Sequence, residues 1–254
     1  MGVLQSILDA KRQDVAELRT ARLPAPPPRR PIALARAPGG PLHLIAEIKR
    51  RSPSAGALST ALGVAERAAA YERGGAAIIS VLCDTRFFDG SYHHLELARA
   101  ATRLPLLCKE FVIDEVQLDA ARAYGADAVL LIVRCLSAAR LRPLVDAARE
   151  RDLVPVVEVV SPAESQLALD AGAEVIGVNA RDLDTLEMNP ARARSVLAAL
   201  PAERIAVHLS GLKTPDDVGL VRASRADAAL IGEALMRQDD PEPLLQSLHA
   251  AASS

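Results

Sequence analysis

The chain has 254 residues and a formal net charge of −2 from 30 basic and 32 acidic residues, with half of its residues hydrophobic and only 2% aromatic. Charges of both signs run along the whole length, which excludes a basic face for nucleic acid, and no apolar run is long enough to span a membrane. The core must be built from Ala, Val, Leu and Ile, and the length is ample for a core without staples.

In chain order, Leu4, Ile7, Leu8, Val15 and Leu18 recur at helical spacing among charged residues, which predicts an amphipathic helix that packs across one end of the main domain. The opening Met1-Gly2 with Ser6 matches an acylation pattern only over a few positions, and the chain is read as soluble and cytoplasmic. The proline-rich stretch Pro24–Pro31 cannot be helical inside, because proline lacks a backbone donor and restricts its predecessor; it is an extended connector.

Eight short apolar runs come next: residues 43–49, 77–83, 104–109, 128–133, 154–159, 174–179, 205–210 and 228–232. Stretches rich in Ala, Leu, Arg and Glu, each long enough for a helix, separate them. Glycine-alanine punctuation before the next run recurs at Arg73–Ala76, Tyr124–Asp127 and Asp170–Ala173, where glycine releases a helix C-terminus. Strand-helix alternation repeated eight times predicts an α/β fold, a single (β/α)8 or TIM barrel with an extra N-terminal helix. Residues 1–31 form the helix and connector packed on the barrel, and residues 32–254 the barrel domain. Cys83, Cys108 and Cys135 lie in or just after apolar runs without metal or redox spacing, so they read as small core residues in a reducing compartment.

The active site of such a barrel lies where its strands end. Residues two apart share a strand face, so Glu47 and Lys49 project with Ile45, Lys109 and Phe111 with Leu107, Glu158 with Val156, and Asn179 with Gly177. Two lysines, two glutamates and an asparagine then converge on one mouth. Structural ion pairing is the plain alternative, but buried charges cost several kcal/mol of desolvation, which favours acid-base chemistry on an anionic substrate. The segments Leu209–Gly211 and Leu230–Met236 end the last two runs where barrels bind phosphate through backbone N–H groups. With Ser52–Ser54 of the cation-rich loop Arg50–Ala57 across the mouth, they predict a phosphorylated small-molecule substrate. That loop is read as a mobile, anion-facing lid. His93 and His94 stand without cysteine or acidic ligands at metal spacing and are assigned to the surface, with no metal site.

The run Ile45-Ala-Glu-Ile-Lys-Arg-Arg-Ser-Pro-Ser-Ala-Gly56 resembles the signature of the indole-3-glycerol-phosphate synthase family. The resemblance continues through Ser80–Asp84, Phe88–Ser91, Pro105–Phe111, Val157–Val159, Ile176–Leu183 and Leu230–Gly232, and covers essentially the whole chain. It implies closure of the indole ring of 1-(2-carboxyphenylamino)-1-deoxyribulose 5-phosphate with loss of carbon dioxide and water, in tryptophan biosynthesis, without a cofactor. Carried onto this chain, it makes Lys109 the general acid, Lys49 the partner of the anthranilate carboxylate, Glu158 the acid-base group of dehydration and Glu47 the group that orients Lys49. Asn179 would hold a hydroxyl and Phe111 the aromatic ring, while Ser52, Ser210, Gly211, Gly232 and the Glu233 backbone would hold phosphate.

One departure stands out. Where the family reads Ala-Glu-Ser-Gly, this chain reads His208-Leu209-Ser210-Gly211, so an inward carboxylate beside the lysines becomes leucine. His208 faces the other side of its strand and cannot replace it; it reads as a histidine tucked between barrel and helices. Glu110 stands where the family commonly has Asp, which keeps the charge and reads as minor. The expectation is an active synthase slowed by Leu209, as a monomer or weak homodimer. The alternative is a non-catalytic or weakly active paralogue that binds a phosphorylated aromatic ligand or a partner protein. An isomerase acting on phosphoribosyl anthranilate is discounted, because the first run ends in Glu-Ile-Lys and lacks the acid-base cysteine that reaction needs.

Overall fold

In the computed structural model, which describes residues 3–52 and 56–254, alternate residues of the eight apolar runs face opposite sides of one closed sheet. The strands are β1 (His43–Ile48), β2 (Ile78–Leu82), β3 (Leu106–Lys109), β4 (Ala128–Ile132), β5 (Val154–Val159), β6 (Val175–Asn179), β7 (Ile205–Leu209) and β8 (Ala228–Ile231). All are parallel, and β8 pairs with β1 to close the ring. Closure removes both sheet edges, so every strand can be apolar on its two faces.

The two faces build two cores. Ile45, Leu107, Leu130, Val156, Val207, Leu209 and Leu230 point inward and fill the barrel. Leu44, Ala46, Ile79, Val81, Leu131, Val157 and Ile176 point outward and meet the helices. The helices are α1 (Val3–Leu18), α2 (Val64–Arg73), α3 (Thr85–Phe88), α4 (Tyr92–Ala101), α5 (Glu115–Ala123), α6 (Ala138–Glu150), α7 (Pro162–Asp170), α8 (Pro190–Ala199), α9 (Pro215–Arg222), α10 (Glu233–Met236) and α11 (Glu242–Ser253), of which α1 and α3 pack against the inner core instead. Side chains of Ser91, Asp114, Ser161 and Thr214 cap α4, α5, α7 and α9, satisfying otherwise orphaned N–H groups. Gly75, Gly125 and Gly172 take positive φ just past α2, α5 and α7, as the punctuation predicts.

Helix α1 is amphipathic as expected and lies over the carboxyl ends of the strands, where Leu4 and Ile7 join the inner core. Its Lys11 is buried and sits 2.8 Å from both Asp14 and Asp84 and 3.1 Å from Glu110. The connector then runs to the opposite end of the barrel. Asp127 and Asp227, just before β4 and β8, accept the backbone N–H of Arg30 and Arg36, and Leu34 packs into the bottom of the inner core.

Two expectations are modified. The fourth run leaves the strand one residue early, because Val133–Cys135 forms a 3-10 turn. The third run stops at Lys109, so Phe111 reaches the mouth from a loop whose N–H is fixed by the Glu110 carboxylate at 2.7 Å. The cysteines are free; Cys83 and Cys108 are buried in the outer core and Cys135 is half-buried, its thiol pushed up by burial and by Glu158. His93 is exposed and pairs with Glu96. Among the described residues, no helix is long and apolar enough to cross a membrane. The Met1-Gly2 pattern and Pro53–Ala55, including Ser54 of the expected lid, lie outside the described residues.

Candidate active site

A single cavity at the carboxyl ends of the strands is lined by all eleven expected residues: Glu47, Lys49, Ser52, Lys109, Phe111, Glu158, Asn179, Ser210, Gly211, Gly232 and Glu233. Glu47, Lys109, Glu158 and Asn179 arrive by strand parity, and the others from the loops and turns that follow the strands. Glu47 lies on β1 in register with Ser80 of β2, while Lys109 and Glu158 end the inward faces of β3 and β5.

Glu47 is the centre of the charge arrangement. Its Oε1 accepts from Lys49 Nζ at 2.8 Å, and its Oε2 lies 3.9 Å from Lys109 Nζ. Burial alone would raise the Glu47 carboxyl, but Lys49 and Lys109 overcome that and hold it below the usual carboxylate range. One anion is thereby shared by two ammonium groups from different strands. Gly232 makes this possible at close quarters, since a Cβ there would fall 2.5 Å from Glu47 Oε1 and 3.2 Å from Lys49 Nζ.

Glu158 is the opposite case. It is buried, its Oε1 accepts from Asn179 Nδ2 at 2.9 Å, and its Oε2 has no hydrogen-bond partner among the described residues. Burial pushes its carboxyl up, and the attractions of Lys109 and Asn179 only partly offset that. Two carboxylates in one cavity are therefore driven apart, one held ionised and one inclined to carry a proton, the pattern that separates acid from base roles. Asn179 is fixed in turn, as its Oδ1 accepts from the Arg181 backbone at 2.9 Å.

The remaining walls are apolar. Phe111 and Phe88 stand with ring centroids 5.9 Å apart, Ile7 of α1 contributes from above, and Leu209 lines the wall packed directly against Gly177 of the neighbouring strand, where a Cβ would come within 2.8 Å of its Cδ1. Glu233 turns its carboxylate to Arg237 at 2.9 Å, which holds it low.

Arg181, Lys213 and Glu110 also line the cavity and were not among the expected residues. Arg181 continues the 177, 179, 181 alternation beyond β6, so the same parity could have found it. Lys213 lies past a turn, where alternation carries no information. Glu110 is more than a retained charge: beneath α1 and facing Lys11 and Asp84, it is pushed up to about 7 by burial, against the pull of Lys11.

A closed parallel barrel with a charged cavity at the carboxyl ends of its strands defines this chain as a (β/α)8-barrel enzyme. Residues 4–248 match the family described as indole-3-glycerol phosphate synthase, and the chain belongs to that family. It is similar to the indole-3-glycerol phosphate synthase of Saccharopolyspora erythraea, at 41% identity over 100% of this chain and 97% of that protein. It is also similar to that of Mycobacterium ulcerans, at 42% identity over 99% and 95%, and of Mycobacterium tuberculosis, at 40% over 99% and 95%. Among solved structures, 3-hexulose-6-phosphate synthase from Salmonella typhimurium superposes with a TM-score of 0.67 at 15% identity, covering 83% of this chain and 98% of that one. Thiamine phosphate pyrophosphorylase from Pyrococcus furiosus superposes with a TM-score of 0.63 at 18% identity, covering 83% and 95%. At those identities the likeness shows the fold.

Proposed function

We propose that the chain closes the indole ring of 1-(2-carboxyphenylamino)-1-deoxyribulose 5-phosphate, and that Lys109, Lys49, Glu158 and Glu47 carry the chemistry. The observation that supports it is the single Glu47 carboxylate held between Lys49 and Lys109 in one cavity with Glu158. Lys109 donates a proton to the substrate carbonyl oxygen as the ring carbon attacks that carbonyl, forming the new carbon-carbon bond. Lys49 pairs with the anthranilate carboxylate until it leaves as carbon dioxide and the bonding electrons return to the ring. Loss of the hydroxyl as water completes the indole, with Glu158 as the proton carrier because burial lets its carboxyl hold and return a proton. Asn179 orients Glu158, Phe111 covers the ring, and Ser52, Ser210, Gly211, Gly232 and Glu233 take the phosphate end, with Lys213 and Arg181 adding cationic charge nearby.

We further propose that residues 1–31 are a leader packed on the 32–254 barrel, in which α1 roofs the mouth with Ile7 as part of the substrate wall and the connector fastens the opposite end, and that the working unit is a cytoplasmic monomer or weak homodimer. A non-catalytic binder is not favoured, because it has no need of two buried carboxyls whose proton affinities are pushed in opposite directions beside two lysines. An assay of indole fluorescence with the carboxyphenylamino-deoxyribulose phosphate tests the proposal: product must form with the wild-type chain and fall to background in Lys109→Ala.

A further inference from the structure

His208 is buried at 4% exposure on the outer face of β7, the strand that leads into Ser210 and Gly211. Its Nε2 lies 3.1 Å from the Ser210 carbonyl oxygen, two residues ahead. A carbonyl only accepts, so Nε2 carries the proton and donates, and Nδ1 is left as an acceptor without a partner among the described residues. Burial pushes the ring below its usual range, against the favourable Ser210 contact, and Arg194 pushes it further down; the imidazole is neutral at pH 7.

The turn it touches is unusual. Ser210 and Gly211 take φ of 71° and 92°, and a left-handed serine persists only where its surroundings hold it. On one side the turn is anchored by Leu209, whose carbonyl accepts from Ala180 N at 3.0 Å; on the other by Lys213, whose N–H donates to Asp217 Oδ2 at 2.9 Å. Between these anchors, His208 grips the Ser210–Gly211 peptide. That peptide unit is planar and trans, so its carbonyl and its N–H point in opposite directions. A carbonyl drawn outward to His208 obliges the Gly211 N–H to face the cavity that Gly211 lines.

We infer that His208 is a positioning residue for the phosphate end of the cavity, aiming the Gly211 N–H by holding the Ser210 carbonyl from behind. This rests on the reading of Ser210 and Gly211 as phosphate-holding residues. The imidazole itself stays outside the cavity, in the cleft between α8 and α9 lined by Met188, Leu197 and Leu220.

The test uses His208→Ala and His208→Gln, with inorganic phosphate as a probe that needs no turnover. Phosphate affinity is read from the Gly211 amide shift in isotope-labelled protein, and KM and kcat from indole formation. His208→Ala is expected to weaken phosphate binding and raise KM by roughly tenfold each, the worth of one well-made hydrogen bond, with kcat within about threefold. His208→Gln, whose amide can reach the same carbonyl, is expected to return both to within about threefold of wild type. Unchanged phosphate affinity and KM in a folded His208→Ala chain would overturn the inference, as would a glutamine variant no better than alanine. If His208→Ala does not fold, ring nitrogen shifts in the wild type decide: Nε2–H supports the clamp and Nδ1–H overturns it. Wild-type protein without turnover, but with His208-dependent phosphate binding, would sink the proposed reaction and leave the clamp standing.

Discussion

Glu47 and Lys109, from strands β1 and β3 with β2 between them, approach to 3.9 Å across the barrel mouth, while the other oxygen of Glu47 takes Lys49 at 2.8 Å. Two ammonium groups close enough to repel are kept together by one buried anion. Their spacing is a property of that carboxylate as much as of the strands.

Glu47→Gln keeps the shape and removes the charge. Steady-state assay should show kcat down by about 100-fold or more, in line with the usual worth of acid-base machinery, with a smaller effect on KM. Its folded-state pKa is depressed, so the stability Glu47 contributes is present above the ordinary carboxylate range near 4.5 and lost as pH falls below it. Acid unfolding of the wild type should therefore be steeper than that of the glutamine variant. Equal turnover in the two proteins would refute the shared-anion role.

Lys109→Ala should reduce indole formation to background, whereas Lys109→Arg, which keeps the charge but cannot deliver a proton near neutral pH, should bind substrate and remain inactive. Calorimetry with substrate separates the two. A Lys109→Arg variant with turnover within about tenfold of wild type would rule out the general-acid assignment.

Leu209→Glu tests the departure at the end of β7. Leu209 is 2% exposed and packs with Leu230 in the inner core. A carboxylate there should raise kcat by supplying a second anion among the lysines, and should lower the melting temperature by several degrees, because a charge replaces buried apolar surface. A fall in both quantities would show that the leucine wall suits this cavity.

The clasp beneath α1 predicts a pH dependence of stability. Glu110 is pushed up from 4.5 to about 7, so the folded state holds a proton that the unfolded state releases. Stability should fall as pH rises through that window, by at most about 1.4 kcal/mol per pH unit from this group, and Glu110→Gln should flatten the slope. Lys11→Met should cost about 3–5 kcal/mol, since Asp84 and Glu110 would be left buried without their cation. Chemical denaturation across pH 5 to 8 measures both effects. A wild-type profile that rises over this range would contradict the assignment.

The eight-stranded repeat, the inward direction of Glu47, Lys49, Lys109, Glu158 and Asn179, and the amphipathic leader were legible from one dimension of information. Period-two alternation decides which face of a strand a residue takes, and a closed sheet sends one face to a common centre. Arg181 was legible by the same alternation. Folding in space was needed for everything that depends on separation between strands. No spacing along the chain says that Glu47 reaches two lysines while Glu158 reaches Asn179, that Glu110 meets Lys11 from a helix about a hundred residues earlier, or that His208 grips the peptide beyond its own strand. Those outcomes arise from barrel closure, helix docking and backbone turns, which set distances of a few ångströms between residues whose order in the chain is silent about them.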